Sequence, residues 1–240
     1  MAPLLSTAGL TVTFGGLRAV DDVDLTVEEG TLVGLIGPNG AGKTTLLDAV
    51  GGFVPATGEV RFAGRALGDL PPHQRARLGV ARTWQAIELF DDLTVQENLE
   101  VAAHPRGLRR RRADVAGTLS VLGIDHLAAR VPSALSHSER KLVGVARAVA
   151  AGPRLICMDE PAAGLDAAGC FEFGRRLQAL VGAGTSILLV DHDMGLVLSV
   201  CNDLYVLEFG RIIAHGSPGQ VRADERVIAA YLGGEVEALR

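Results

Sequence analysis

Three short apolar runs, each ending in polar residues, form the clearest pattern along the chain. They have the length of buried strands and cover Leu32 to Ile36, Leu155 to Met158 and Ser186 to Val190. Glycine-rich or polar residues follow each run at once. Because α/β proteins place their chemistry beyond the carboxyl ends of parallel strands, this pattern predicts an α/β core with functional groups at the three strand ends.

Two other regions have different patterns. Apolar and polar residues partly alternate between turn glycines in the first 30 residues and from Gly58 to Arg65, which predicts a small antiparallel sheet. From Thr94 to Ala151 apolar residues recur at helical spacing with few β-branched runs. We therefore expect a mostly helical insertion in the α/β core.

The composition narrows the class of protein. With 240 residues, 48% of them hydrophobic and 21% charged, the chain can form one compact unit with a buried core. No apolar stretch reaches the roughly 20 residues of a membrane-spanning helix, and the N-terminus lacks the positive charge of a secretory signal. Cys157, Cys170 and Cys201 lack the paired short spacing of a disulfide framework or a zinc site. These features predict a protein of the cytoplasm.

The basic residues are almost all arginine. Of the 23 lysine and arginine residues only Lys43 and Lys141 are lysines, and the formal net charge is −5. That balance argues against a surface built for nucleic acid. An arginine run in the helical region, Arg106 and Arg109 to Arg112, is either a solvated face or a contact to anionic lipid headgroups.

A glycine-rich segment follows the first predicted strand and matches GxxxxGK(S/T): Gly37, Pro38, Asn39, Gly40, Ala41, Gly42, Lys43, Thr44 and Thr45. Glycines let backbone N–H groups curl around phosphate oxygens, and the N-terminus of the next helix adds a positive dipole end. Lys43 would neutralise the β- and γ-phosphates, and Thr44 would offer a hydroxyl to Mg²⁺. The segment therefore predicts a nucleoside triphosphate site.

Acidic residues follow the second and third strands. Beside a phosphate loop, Asp159 would lie close to Mg²⁺ and Glu160 would polarise an attacking water. The alternative is that this pair caps a following helix. Asp191 and His192 end the third strand, and His192 lies 32 residues after Glu160, which is the spacing of a β-α-β step.

In this order the motifs resemble those of the ATP-binding subunits of ABC transporters, over nearly the whole chain from Leu10 to Gly233. The resemblance implies an α/β phosphate-loop NTPase fold, the ABC-type nucleotide-binding domain, with an N-terminal-side antiparallel β region and an inserted α-helical subdomain. It implies a single ABC ATPase domain over residues 1–240, with the nucleotide-binding core in 1–85 and 151–240 and the helical subdomain in 86–150.

The resemblance also assigns roles to single residues. Phe14 is similar to the aromatic residue that stacks on adenine, although on its own it fits a core strand position equally well. Gln85, in Arg82-Thr83-Trp84-Gln85, is similar to the glutamine that touches Mg²⁺ and the attacking water. Asp159 is similar to the family's aspartate on the metal side, and Glu160 to its catalytic glutamate. His192 is similar to the histidine that contacts the γ-phosphate, and Ala163 to Asp166 are similar to the loop that contacts the dimer partner.

Within the family, the chain is most similar to the ATPases that serve branched-chain amino acid and related amide uptake. This likeness rests on Phe14 to Val20, Gly37 to Thr45, Arg82 to Gln85, Asp191 to Met194 and Val227 to Gly233. It implies an Mg-dependent ATPase that uses ATP and Mg²⁺ and lies peripherally on the cytoplasmic face of the cell membrane.

The partners implied are a second ATPase subunit, transmembrane permeases and, indirectly, a periplasmic or extracellular substrate-binding protein. No nucleic-acid partner is expected. The alternative function is a soluble ABC-type ATPase acting on nucleic acid or the ribosome. Such proteins usually carry two ATPase units or a long coiled-coil insertion, and the sequence shows neither.

The sequence departs from the family at the signature that contacts the partner's ATP, Leu-Ser-Gly-Gly-Gln in the family. The matching residues are Leu135, Ser136, His137, Ser138 and Glu139. Ser136 and Glu139 predict a capping box, so a positive helix N-terminus is still expected near the partner's nucleotide, with Ser136 and Ser138 as contacts. The alternative is a capped helix without that role. We expect a heterodimer with one weakened site, with a homodimer as the alternative.

Overall fold

The computed structural model describes residues 2–84, 88–103 and 108–232, with side chains described outside 108–113 and 232. In chain order the strands are β1 (Leu5–Phe14), β2 (Leu17–Val27), β3 (Leu32–Ile36), β4 (Thr57–Phe62), β5 (Arg65–Ala66), β6 (Val80–Arg82), β7 (Leu155–Asp159), β8 (Ser186–Val190), β9 (Asp203–Glu208) and β10 (Arg211–Gly216). The helices are α1 (Lys43–Gly51), α2 (Pro72–Leu78), α3 (Val95–Ala102), α4 (Leu108–Leu122), α5 (His137–Ala150), α6 (Ala167–Gly182), α7 (Met194–Val200), α8 (Pro218–Ala223) and α9 (Glu225–Leu232).

A six-stranded sheet of order β10-β9-β3-β8-β7-β6 forms the centre of the molecule. Its strands are parallel except for β10, which pairs antiparallel with β9. All residues of β3, β7 and β8 are buried, because both faces of this part of the sheet are covered. The three predicted strands are therefore present, with β7 one residue longer than predicted.

A second, four-stranded sheet of order β2-β1-β4-β5 is antiparallel throughout. Its inner strand β1 pairs along β2 from Leu5 opposite Val27 to Phe14 opposite Leu17. The alternating pattern and the turn glycines predicted this sheet.

The hydrophobic core lies on both faces of the six-stranded sheet. In β3, Leu32 and Ile36 belong to a cluster formed with the helices α3 to α7, whereas Val33 and Leu35 pack with α1 and the four-stranded sheet. The alternation of strand side chains divides the core in this way. Because β3, β8 and β7 pair in parallel, their carboxyl ends lie at the same edge of the sheet.

The predicted helical insertion consists of α3, α4 and α5, between β6 and β7. Thr94 and Ser136 begin α3 and α5 with capping boxes, in which the glutamate at the third helical position bonds back to the cap. Leu99 of α3, Val115 of α4 and Val143 of α5 share one buried cluster with the central sheet. Within the described ranges no helix has the length and apolar character needed to cross a membrane.

Candidate active site

The loop from Gly37 to Gly42 joins β3 to α1 and packs tightly against neighbouring backbone. Gly37 and Gly42 have φ values of 149° and 105°, a region that favours glycine. A Cβ at Gly37 would overlap the carbonyl oxygen of Leu207 in β9, and one at Gly42 would overlap that of Ala19 in β2. Glycine is therefore required at both positions because neighbouring backbone approaches closely. These contacts fix the loop between the two sheets.

Lys43, the first residue of α1, directs its charge into this loop. Its side chain is 8% exposed, and Nζ donates to the carbonyl oxygens of Gly37 at 2.7 Å and Pro38 at 2.9 Å. Burial lowers the pKa of Lys43, and the carboxylates of Glu160 and Asp159 act in the opposite direction. The lysine, the helix N-terminus and the loop glycines together form a compact positive site suited to phosphate.

The ends of β7 and β8 lie side by side, because Asp159 pairs with Val190 in the parallel register. Asp159 is 3% exposed, and one of its oxygens accepts a hydrogen bond of 3.2 Å from Arg82 of β6. Its other oxygen, Oδ1, is buried with no hydrogen-bond partner among the residues that the structure describes. A buried carboxylate oxygen without a partner is unusual and favours a cation or water as its missing contact.

Glu160 follows Asp159 in a strained conformation. Its φ of 47° places a non-glycine residue in the left-handed region, at a cost of about 1 to 2 kcal/mol. The Glu160 N–H donates to the carbonyl of Val190 at 2.7 Å, which ties the turn to β8. His192 Nδ1 lies 3.9 Å from Glu160 Oε2 and 3.8 Å from Asp191 Oδ1. The structure therefore brings the predicted glutamate and histidine together.

The alternative that Asp159 and Glu160 cap a helix is wrong. The next helix, α6, begins at Ala167, and its cap is Asp166, whose carboxylate accepts from the Gly169 N–H at 2.7 Å. Neither acid is therefore needed as the cap of α6, because Asp166 satisfies this helix end.

Two further residues, Asp191 and Arg82, support the site by contacts that the sequence did not predict. Asp191 is 1% exposed and accepts from the N–H groups of Ala162 at 3.1 Å and Asp193 at 3.0 Å. The side chain of Arg82 is buried, with an ion pair to Asp48 of α1 beside the one to Asp159. The signals in the sequence were an acid directly after a buried strand, at Asp191, and an arginine in the segment Arg82 to Gln85. Neither signal identifies its partners.

A cavity of about 440 Å³ lies next to the Glu160 turn, between the central sheet and α5. Its walls include Phe53, Arg82, Trp84, Lys141, Arg147 and Pro161. The guanidinium of Arg82 stacks 4.6 Å from the ring centre of Trp84, and this ring meets Phe53 edge-on at 4.9 Å. Arg82 thus joins the cavity wall to the site carboxylate Asp159. Gln85, the predicted contact to Mg²⁺, lies outside the described residues.

The signature residues form a local structure at the N-terminus of α5. The Ser136 Oγ accepts from the Glu139 N–H at 3.3 Å, and Glu139 Oε2 accepts from the Ser136 N–H at 2.7 Å. This backbone hydrogen bond from Ser136 lowers the pKa of Glu139. His137 and Ser138 are exposed, and a Cβ at Gly164 would lie 3.5 Å from His137 Nε2. The predicted capping box is therefore present beside the predicted dimer-contacting loop.

Two further predictions concern Phe14 and the arginine run. Phe14, at the end of β1, is 50% exposed, so that its ring is accessible to a stacking partner. Of the arginine run, Arg106 and the side chains of Arg109 to Arg112 lie outside the described residues.

The residues present fit a magnesium ion that is shared with a nucleotide. Asp159 supplies an oxygen without a partner, and Thr44 is exposed in the first turn of α1. In the described part of the chain no group of three or more histidine, cysteine, aspartate or glutamate side chains could hold a metal alone. Mg²⁺ is commonly bound by one or two protein ligands together with substrate phosphates, and this donor set matches that pattern.

Two protein-family models match the sequence. The one described as "ABC transporter" matches residues 20–163, and the one described as "Branched-chain amino acid ATP-binding cassette transporter" matches residues 211–237.

Three curated relatives align over nearly their full lengths. The chain is 37% identical to the high-affinity branched-chain amino acid transport ATP-binding protein BraF of Pseudomonas aeruginosa, covering 96% of this chain and 98% of the relative. It is 40% identical to the corresponding protein LivG of Escherichia coli, with the same two coverages. It is also 38% identical to the lipopolysaccharide export system ATP-binding protein LptB of Escherichia coli, with coverages of 95% and 97%.

Solved structures agree with the fold. A nucleotide-free ATP-binding cassette from an ABC transporter superimposes with a TM-score of 0.87 at 29% identity, covering 96% of this chain and 99% of the other. An ADP conformation of such a cassette gives a TM-score of 0.87 at 30% identity, with coverages of 98% and 100%.

Proposed function

The chain belongs to the ABC transporter ATP-binding family, and on this premise we propose that it powers the import of branched-chain amino acids or related amides through partner permeases. As a member of the family it binds and hydrolyses ATP for a transporter. The substrate class is carried by one observation, the match of residues 211–237 to the branched-chain amino acid transporter model. Overall identity is less selective, since the export protein LptB reaches 38%.

The phosphate loop would hold the nucleotide. Its backbone N–H groups from Gly37 to Gly42 and the charge of Lys43 would contact the β- and γ-phosphates, with Thr45 completing the first turn of α1. Phe14 would stack on the adenine. Thr44, Asp159 and Gln85 would hold Mg²⁺, which supplies neutralising charge on the phosphate oxygens when bound.

Glu160 would orient the attacking water or take its proton, because its carboxylate stands at the end of β7 in a turn fixed by β8. His192, 3.9 Å from that carboxylate, would contact the γ-phosphate together with Lys43. Hydrolysis in this arrangement depends on positioning and on charge stabilisation of the transferred phosphoryl group.

The chain would work as one half of a head-to-tail dimer in which its signature serves the partner's nucleotide. The Ser136 and Ser138 side of α5 then faces that nucleotide with a positive helix end. Glu139 adds a negative charge in the same turn and weakens this contact. We therefore propose a heterodimer in which the Lys43 site is competent and the opposite site is weakened.

The permeases would bind on the cytoplasmic side of the membrane, at the cavity lined by Phe53 and Trp84. Arg82 lies between this cavity and Asp159, which gives a physical route from a bound permease to the nucleotide site. A substrate-binding protein outside the cell would act only indirectly. BraF, LivG and LptB carry transport names, and none of these names refers to nucleic acid or the ribosome.

An uptake experiment in the source organism tests the substrate class. Deletion of the gene should abolish the high-affinity uptake of radiolabelled leucine, and the wild-type gene should restore it. The Glu160→Gln variant should not restore it. Unchanged leucine uptake in the deletion strain, with loss of another substrate's transport, would show that the substrate class is wrong while leaving the ATPase role intact.

A further inference from the structure

One of the two lysines of the chain has no role in the scheme above. Lys141 lies on α5, the helix that begins at the signature, and is 8% exposed. Burial lowers its pKa, and the negative groups around it, Asp191 first and Glu160 among the others, act in the opposite direction. Buried lysines are rare unless they have a partner, so its contacts carry information.

That partner is the turn that holds Glu160. Lys141 Nζ donates to the carbonyl oxygen of Pro161 at 3.0 Å, in a buried position. Pro161 directly follows Glu160, whose φ of 47° requires support from its surroundings. The lysine therefore bonds to the backbone immediately after the strained residue.

The rest of the turn is supported from the other side. Glu160 N–H donates to Val190 of β8, and Asp191 accepts from the Ala162 N–H at 3.1 Å. Ala163 N–H closes the turn on the Glu160 carbonyl at 3.2 Å. Lys141 adds to these central-sheet contacts a side-chain hydrogen bond that comes from the helical region.

We propose that Lys141 is a positioning residue for Glu160, which fixes the Pro161 carbonyl and so links the signature helix α5 to the turn of the catalytic carboxylate. This inference rests on the proposed role of Glu160. A shift of α5 then moves the Lys141 ammonium and, through Pro161, the carboxylate that faces the attacking water. Lysine suits this task because its ammonium is a compact donor on a flexible stem.

Hydrogen exchange measured by mass spectrometry tests the link without requiring turnover. In Lys141→Met the backbone N–H groups of residues 160–165, other than Pro161, should exchange at least about tenfold faster, because the turn loses one support. The Lys141→Arg variant, which keeps a donor, should stay within about threefold of the wild type. Arg140→Met is the matched control, since Arg140 is the neighbouring cation on α5 and its contact is Asp91 at 4.0 Å. It should leave residues 160–165 unchanged.

Steady-state kinetics of the same variants give the second readout. Lys141→Met should lower kcat by about tenfold or more with KM for ATP unchanged, and Lys141→Arg should restore most of it. If Lys141→Met does not fold, Lys141→Gln, which is too short for the bond, replaces it in both measurements.

Three results would overturn the inference. They are wild-type exchange at residues 160–165 in the Met or Gln variant, faster exchange spread evenly over α5, and equal defects in the Met and Arg variants. Retained turnover in Glu160→Gln would instead contradict the proposed catalytic role of Glu160. The exchange measurement would still show whether Lys141 supports the turn through Pro161.

Discussion

The phosphate loop and the N-terminus of α5 are both expected to hold phosphate, yet they are built in different ways. The loop is fixed by long-range packing, with Gly37 against β9 and Gly42 against β2. The N-terminus of α5 is fixed by a local capping box between Ser136 and Glu139. Packing from several elements tolerates little change, whereas a capping box constrains only two side chains. The sequence departs from the family at the second of these regions.

The largest expected effect is at the strand ends beside the phosphate loop. Glu160→Gln should lower ATP turnover by about 10² to 10⁴-fold with ATP binding retained, because the amide cannot act as a base. Turnover and equilibrium ATP binding are the two measurements. Glu172→Gln, on the surface of α6 and paired with arginines, is the control and should keep full turnover. Turnover near the wild-type level in Glu160→Gln would remove this residue from the chemistry.

The next effect tests how tightly the loop is packed. Gly42→Ala should destabilise the chain by about 3 kcal/mol or more and abolish ATP binding, because overlap with Ala19 adds to backbone strain. Gly40→Ala is the matched variant. Gly40 also has a positive φ, 78°, but a Cβ there meets no atom within 4 Å. It should cost about 1 to 2 kcal/mol. Denaturant unfolding measures both, and equal losses would contradict the packing argument.

A smaller effect is expected at the signature. Glu139→Gln removes a negative charge but keeps the capping box, because glutamine also serves at the third helical position. We expect the ATP turnover of the dimer to rise about fivefold. This corresponds to about 1 kcal/mol of lost repulsion between Glu139 and the phosphates of the partner's ATP. Glu97→Gln makes the same change in the equivalent capping box of α3 and should leave turnover unchanged. Equal rates in both variants would show that the charge of Glu139 does not limit hydrolysis.

The smallest effect concerns the three buried cysteines, of which Cys157 is on a central strand. Burial raises the pKa of Cys157 on β7 to about 12 and that of Cys170 on α6 to about 11, and it also raises the pKa of Cys201. At pH 8 the thiolate forms are negligible and the side chains are buried. A thiol reagent should therefore label none of the three within an hour in the native chain and all three after denaturation. Rapid native labelling of Cys157 would show that β7 opens easily.

The contrast between local and long-range contacts explains how much of the structure could be predicted from the sequence. Local signals were reliable: continuous apolar runs gave β3 and β8 with their observed bounds, and Ser136 with Glu139 gave the start of α5. The run at β7 stopped one residue early, because an acidic side chain ends the apolar pattern although the backbone of Asp159 still pairs with β8.

What could not be predicted depends on contacts between distant residues. Arg82 reaches Asp159 across 77 positions, Asp191 reaches Ala162 across 29, and Lys141 reaches Pro161 across 20. No periodicity or motif encodes these pairs, since they are created by the packing of strands and helices. The helix-cap alternative for Asp159 and Glu160 failed for a similar reason, because the cap lies further along the chain.

The most direct test of the account compares ATP turnover of the purified chain alone with that of the complex isolated from membranes through a tagged copy of this chain. We expect slow hydrolysis by the chain alone, because the signature of each copy is weakened. We also expect hydrolysis at least about tenfold faster in the complex, and loss of most of this activity in Glu160→Gln. Full-rate hydrolysis by the chain alone, equal to that of the complex, would contradict this expectation.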